Sequence, residues 1–196
     1  MNSTLFRVGQ MGLAVWGSVL CLSGPVLAQD DTLLADARKV AGAVPPKLLE
    51  VLNTQIAKDG LASAVTVCNE KAPQMAKTAS EQTGWKIRRV SLRNRNPKAV
   101  PDAWEQAALE DFDQRTAAGE KPVTLEKFGV VEANGVKEYR YMKALPVIDV
   151  CTACHGAAEK ISPEVAERLH SLYPADKATG YAVGQIRGAI TIRKAL

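Results

Sequence analysis

Apolar residues in the first part of the chain recur every three or four positions, the spacing of an amphipathic helix. The pattern predicts helices from Asp31 to Gly60, and glycine is typical of helix C-termini. A continuous apolar stripe then follows one helical face. Its members are Leu61, Ala64, Val65, Cys68, Ala72, Met75, Ala76 and Ala79. Pro73 should kink or restart this helix because proline has no amide hydrogen to donate.

After Gly84 the pattern changes to short β-rich runs separated by turn residues. WKIRRVSL predicts a strand, and a helix opened by Asp102 follows it. Two further β-rich runs flank Asn134 and Gly135, a dipeptide that favours a hairpin turn. A short helix after Ser162 and a final strand, GAITIRK, complete the chain. This order predicts an α+β fold with an antiparallel sheet and N-terminal helices.

The N-terminus has the pattern of a secretory signal peptide. One arginine, Arg7, precedes an apolar run from Met11 to Leu22, and compact residues lead to a cleavage site after Ala28. The run is shorter than the roughly 20 residues of a membrane helix, and an uncleaved anchor is the alternative. We predict a signal peptide at residues 1–28, and a single domain at residues 29–196 that is exported to the periplasm.

Composition narrows the function classes. The chain has 196 residues, of which 46% are hydrophobic and 23% charged, so it can form a globular core. Its net charge is only +4, and basic and acidic residues are interleaved. A nucleic-acid-binding protein usually has a more strongly basic face, so we expect no nucleic-acid partner. After the leader is removed, no apolar run approaches the length of a membrane span.

The segment VIDVCTACHG carries the most specific chemical signal. Cysteines normally pair in an oxidising compartment. The chain has four cysteines, and Cys21 falls in the predicted leader, which leaves an odd number in the exported protein. Cys151 and Cys154 are spaced to bond the two vinyl groups of one haem, and His155 follows them as the proximal iron ligand. We therefore predict one covalently bound haem c.

Two other interpretations of this motif remain. A CxxC after an apolar strand is also how thiol-disulfide oxidoreductases work. However, this motif lies near the C-terminus and outside the strand-and-helix repeat in which such enzymes place it. A zinc site is a third alternative, but the chain offers neither a second CxxC nor paired histidines at zinc spacing.

The second iron ligand decides whether haem would carry electrons or bind small molecules. Cys68 is the exported cysteine without a partner, and it lies on an apolar helical face. It could equally be a small buried core residue. Met75, Met142 and His170 are the other candidates, although core packing explains the methionines and surface exposure suits the histidine.

Several sequence blocks resemble one family of small c-type haem proteins with a PAS-like fold, long catalogued as a domain of unknown function. These blocks are AVTVCNEKAP, GWKIRRVSLRNRNPKAVPDAWE, CTACHG and YPADKATGYAVGQIRGAITI. They span nearly all of the predicted domain, from about Leu34 to Ile192. The resemblance implies that His155 and Cys68 both hold the haem iron. Members of that family occur alone or as sensory parts of membrane signalling proteins.

These observations favour a periplasmic monohaem cytochrome for redox or gas sensing, or for low-potential electron transfer. Its partner would be a redox protein or a small gas. Arg93 and Arg95 are candidates to bind the haem propionates, since arginine pairs with carboxylates. A peroxidase-like haem oxidoreductase is the enzymatic alternative, but no distal histidine–arginine pair is evident. The sequence therefore favours a protein that is not an enzyme.

Overall fold

The computed structural model describes residues 25–133 and 135–196. Its helices and strands follow one another in the predicted order, with one additional short helix at the CxxCH motif. The helices are α1 (Pro25–Thr66), α2 (Ala72–Thr83), α3 (Ala103–Ala117), α4 (Asp149–His155) and α5 (Pro163–Leu172). The strands are β1 (Lys86–Val90), β2 (Glu126–Ala133), β3 (Val136–Pro146) and β4 (Ile186–Ala195). The predicted α+β class is confirmed.

The four strands form one antiparallel sheet in the order β1-β4-β3-β2. β2 and β3 form the predicted hairpin, although its turn residue Asn134 lies outside the described residues. The C-terminal strand β4 inserts between β1 and β3, with Ile192 opposite Ile87 on one side and Tyr141 on the other. Within the sheet, β4 therefore connects β1 to the β2–β3 hairpin.

Both faces of the sheet are covered, because side chains alternate between them along each strand. On one face, Trp85, Tyr139 and Tyr141 pack in a buried cluster with residues of α1. On the other face, Met142 and Phe112 lie in a second cluster built around α3. The site described below lies on the α1 face.

Helix α1 contains a break near its end. Gly60 has φ 79° and ψ 175°, outside helical geometry, and glycine adopts such a positive φ at little cost. The predicted helix end at Gly60 is therefore confirmed as a kink, after which Leu61–Thr66 resumes the helix. This final segment leads directly to Cys68.

The predicted signal peptide lies mainly outside the described residues, which begin at residue 25, and Arg7 and Cys21 fall in that part. Pro25–Ala28 forms the start of α1. Within the described chain, none of the helices combines the length and apolar character needed to cross a membrane.

Candidate functional site

A largely apolar cavity lies between α1, the sheet and α4, and it brings together residues that are distant in sequence. Cys68, Cys151, Cys154 and His155 all line it. Its apolar wall consists of Val44, Pro45, Leu48, Leu49, Leu52, Ile56, Leu61, Ala64, Val65, Leu145, Pro146, Ile148, Val150 and Ile190. Apolar walls with a few convergent polar groups are typical of small-molecule and cofactor sites.

The CxxCH motif forms the short helix α4. Cys151 and Cys154 are three residues apart and His155 is four residues after Cys151, so helical geometry places all three on neighbouring positions of one face. Gly156 ends the helix by donating its amide to Thr152 O at 2.8 Å. A Cβ at position 156 would lie only 2.5 Å from that oxygen, so any larger residue would displace the end of the motif.

A loop after α5 fixes the orientation of His155. The imidazole Nδ1 lies 2.7 Å from Ala178 O, and a carbonyl can only accept, so Nδ1 carries the proton. The backbone of the same loop is tied to the motif, since Tyr181 N donates to His155 O at 2.9 Å. Nε2 is consequently the unprotonated nitrogen of the ring, the form in which histidine binds metals.

The surroundings of His155 keep it neutral. Burial lowers the pKa of His155 to about 2, and the positive charges of Arg187 and Arg95 act in the same direction. Arg187 Nε lies 3.1 Å from Nδ1 and 3.5 Å from Nε2. Because Nδ1 already donates to Ala178, we interpret this approach as electrostatic contact between the guanidinium and the ring.

Arg95 and Asp176 hold the motif and the loop together. Arg95 Nε donates to Asp176 Oδ2 at 2.9 Å, and Arg95 Nη2 donates to Cys154 O at 2.6 Å. The other carboxylate oxygen, Asp176 Oδ1, accepts from Ala178 N at 2.8 Å. Both side chains are largely buried. One ion pair therefore positions the Ala178 carbonyl that orients His155.

We expect Asp176→Asn to destabilise the protein by about 3 kcal/mol, because it leaves the buried guanidinium of Arg95 without a negative charge. The asparagine oxygen can still accept from Ala178 N, so the loss reports the missing charge. The measurement is the free energy of unfolding in urea, followed by circular dichroism. Asp111→Asn is the matched control, since its pair with Arg115 is more exposed and should contribute less than about 1 kcal/mol. Equal losses in the two variants would contradict the assigned role.

Cys68 lies in a π-helical turn, Val67–Lys71, between α1 and α2. The turn closes when Ala72 N donates to Val67 O, five residues back. Pro73 follows at once and has no amide hydrogen, so the regular helical hydrogen bond to Asn69 O cannot form there. The predicted restart at Pro73 is confirmed. Such π-turns are frequent at functional sites.

The other candidates for a second iron ligand lie elsewhere. Met142 is fully buried beneath α3, and Met75 lines a separate groove between α1 and α2. His170 is exposed on α5, as the sequence predicted. Of the four candidates, Cys68 is the one that lines the cavity. Tyr173 also lines the cavity, and the sequence analysis did not identify it.

The structure places the two predicted propionate-binding arginines differently. Arg95 lines the cavity. Arg93 does not: it lies over the ring of Tyr181 at 4.2 Å and donates to the carbonyls of Lys177 and Thr179. Local loop contacts take up the guanidinium of Arg93, and its role at a propionate stays a prediction.

Sequence reasoning missed two arginines of the cavity, Arg89 and Arg187. Arg187 interrupts the apolar strand β4 and is buried, with Nη1 donating to Ser91 Oγ at 3.0 Å. Arg89 shares its face of β1 with Ile87, which packs against α1. The signal available in the sequence was a charged residue at a strand position whose side chain should point towards the core, because side chains alternate between the two faces of a strand.

The three thiols do not have the features of a reactive disulfide centre. Cys68, Cys151 and Cys154 are all free. Burial raises the pKa of the Cys68 and Cys154 thiols, whereas redox-active cysteines have a lowered pKa. Within the described chain, no group of three or more histidine, cysteine or acidic side chains is arranged to hold a metal ion by itself. The geometry thus favours neither the oxidoreductase nor the zinc interpretation.

Comparison with known proteins gives one family and one solved structure. The chain matches the family model described as Tll0287-like over residues 26–194. Its fold is similar to the crystal structure of the cyanobacterial haem protein Tll0287, with a TM-score of 0.57 and 20% sequence identity. The match covers 84% of this chain and 93% of that chain. No curated protein matches the chain. At this identity the structural match shows a shared fold.

Proposed function

The chain belongs to the Tll0287-like family, and from this premise we propose that it is a periplasmic monohaem cytochrome of the c type. Cys151 and Cys154 form thioether bonds to one haem, and His155 and Cys68 are the ligands of its iron. The domain is PAS-like, with a four-stranded antiparallel sheet and helices on both faces. It acts in redox or gas sensing, or in low-potential electron transfer.

One observation carries this proposal. Cys68 and the CxxCH motif are more than eighty positions apart in sequence, yet the fold brings them to one apolar cavity. A cysteine with no functional relation to the motif would have no physical reason to line the same cavity. The unprotonated Nε2 of His155 supplies a nitrogen donor, and Cys68 supplies a sulfur donor, from two different helical elements that line the cavity.

The charges of the cavity also suit haem. Arg89 and Arg187 line it, and neither forms an ion pair with any residue in the described part of the chain. No aspartate or glutamate of that part lines the cavity either. Arg187 is buried and Arg89 faces the cavity, and cations placed there without an acidic partner favour an occupant that carries negative charge. The two propionates of haem and a thiolate supply such charge.

Haem in this site would supply a one-electron redox centre. The residues of the chain set its properties. A thiolate from Cys68 stabilises the oxidised iron and lowers the reduction potential. The apolar wall from α1 excludes water, and the carbonyl of Ala178 keeps the His155 ring oriented.

The proposal is tested on protein exported from cells that have a working cytochrome maturation system. We expect a coloured product whose haem stays attached after denaturation, with an absorption spectrum that differs between ferric and ferrous forms. Addition of CO to the ferrous protein separates the two roles. Displacement of Cys68 by CO supports gas sensing, whereas an unchanged spectrum at saturating CO supports electron transfer. A colourless product would refute the proposal as a whole.

A further inference from the structure

Three guanidinium groups line the cavity, and they are held in different ways. Arg95 is bound by Asp176, and Arg187 lies against His155 and donates to Ser91. Arg89 makes no hydrogen bond or ion pair with any other side chain or carbonyl that the structure describes. It is therefore the cation of this site that is free to meet a ligand.

Arg89 occupies a defined place on the sheet. It lies near the end of β1, opposite Ile190 of the central strand β4, and both residues line the cavity. Protein surrounds it closely enough that burial lowers its pKa, yet its side chain stays exposed because it faces the cavity. An unpaired guanidinium in such a position favours an anionic partner.

The arginines of the cavity differ in their position relative to the nitrogen donor, His155, and the sulfur donor, Cys68. Arg187 is the guanidinium nearest His155, at 3.1 Å. Arg95 is held by Asp176 and by the carbonyl oxygen of Cys154, the second cysteine of the motif. Arg187 and Arg95 thus lie against the CxxCH motif, and Arg89 is the arginine of the cavity for which the structure describes no such contact.

We infer that Arg89 makes the Cys68 end of the cavity a binding site for small inorganic anions that can coordinate iron, such as azide or nitrite. The site becomes accessible when the Cys68 sulfur is absent, or when the iron–sulfur bond breaks and the sulfur leaves with the electron pair and takes up a proton from water. The anion then brings the electron pair for the new bond, and Arg89 compensates its charge. This inference rests on the proposed function, because it requires haem in the cavity.

The test compares an anionic with a neutral probe in ferric holoprotein from which the Cys68 sulfur has been removed. Azide and imidazole are titrated separately into Cys68→Ala and into Cys68→Ala/Arg89→Gln, with binding followed by absorption. We expect the loss of the guanidinium to weaken azide binding at least about tenfold, the effect of a lost charge pair in a poorly solvated site. Imidazole binding should change less than about twofold, since a neutral probe needs no counter-charge.

Two further variants complete the design. Cys68→Ala/Arg89→Lys should recover much of the azide affinity because it restores the charge. Cys68→Ala/Lys86→Gln removes an exposed positive charge from the same strand and should leave both affinities unchanged.

Azide binding that does not depend on Arg89 would overturn the inference, and would be expected if Arg89 instead pairs with a propionate. Equal weakening of azide and imidazole would also overturn it, because Arg89 would then act on the shape of the site. Failure of the proposed function looks different. In that case Cys68→Ala would leave the spectrum of the holoprotein unchanged before any probe is added.

Discussion

Cys151→Ala/Cys154→Ala protein, exported under the same conditions as the wild type, is expected to contain no covalently attached haem. Both proposed thioether bonds require these sulfurs, and the motif offers no substitute thiol, since Cys68 belongs to the Val67–Lys71 turn and not to the motif helix. The measurement is haem staining after denaturing electrophoresis, together with the mass of the intact polypeptide. We expect the wild type to retain the stain and the mass of one haem, and the variant to lose both.

Cys68→Ala is the matched control for this result, because it removes the one described thiol that lies outside the motif. It should retain the haem after denaturation. Haem attached to the double variant, or lost equally from Cys68→Ala, would contradict the assignment of the thioether positions.

Cys68→Ala is also expected to change the electronic state of the iron, the second large effect. Removing the sulfur should change the ferric spectrum from that of six-coordinate iron to that of iron with a vacant coordination position. It should also raise the reduction potential by on the order of 100 mV, because axial ligands set haem potentials over a range of about 0.8 V. The measurements are the ferric and ferrous absorption spectra and a potentiometric titration.

Met75→Leu is the control for this variant, since Met75 was the competing donor on the same helical stripe and lies outside the cavity. Its spectrum and potential should equal those of the wild type. If Met75→Leu shifts the spectrum and Cys68→Ala does not, Cys68 is not the second ligand.

The two effects report different bonds and can be separated. Thioether bonds would determine whether haem remains attached, whereas the sulfur of Cys68 would determine the reduction potential of the haem and whether its iron can bind small molecules. The anion site inferred at Arg89 depends on both, because it requires attached haem and a vacated Cys68 position.

Much of the local structure could be predicted because its causes are local. Gly60 ended a helical segment, Asp102 capped α3, and Pro73 restarted α2 after the π-turn. Each of these effects depends on residues within a few positions along the chain. The CxxCH spacing is local in the same sense, and the resemblance to a haem-protein family is confirmed by the family match.

Which side chains meet in the cavity was decided by tertiary structure. In sequence, Cys68 was already favoured over the other candidates as the thiol without a partner and by the family resemblance, and the packing of α1 and α5 placed it in the same cavity as the motif. The same packing turned Arg93 towards Tyr181. The same packing also left Arg89 and Arg187 in the cavity, although a count of arginines in the sequence distinguishes neither of them from the others.

The sequence by itself determined most of the elements, the CxxCH motif and the family, since each depends on neighbouring residues or on an ordered pattern along the chain. Tertiary structure decided the partners. β4 pairs with β1 from a distance of about a hundred positions, and α1 folds back over the sheet. A contact between such distant segments depends on the packing of the whole domain, which no local spacing specifies.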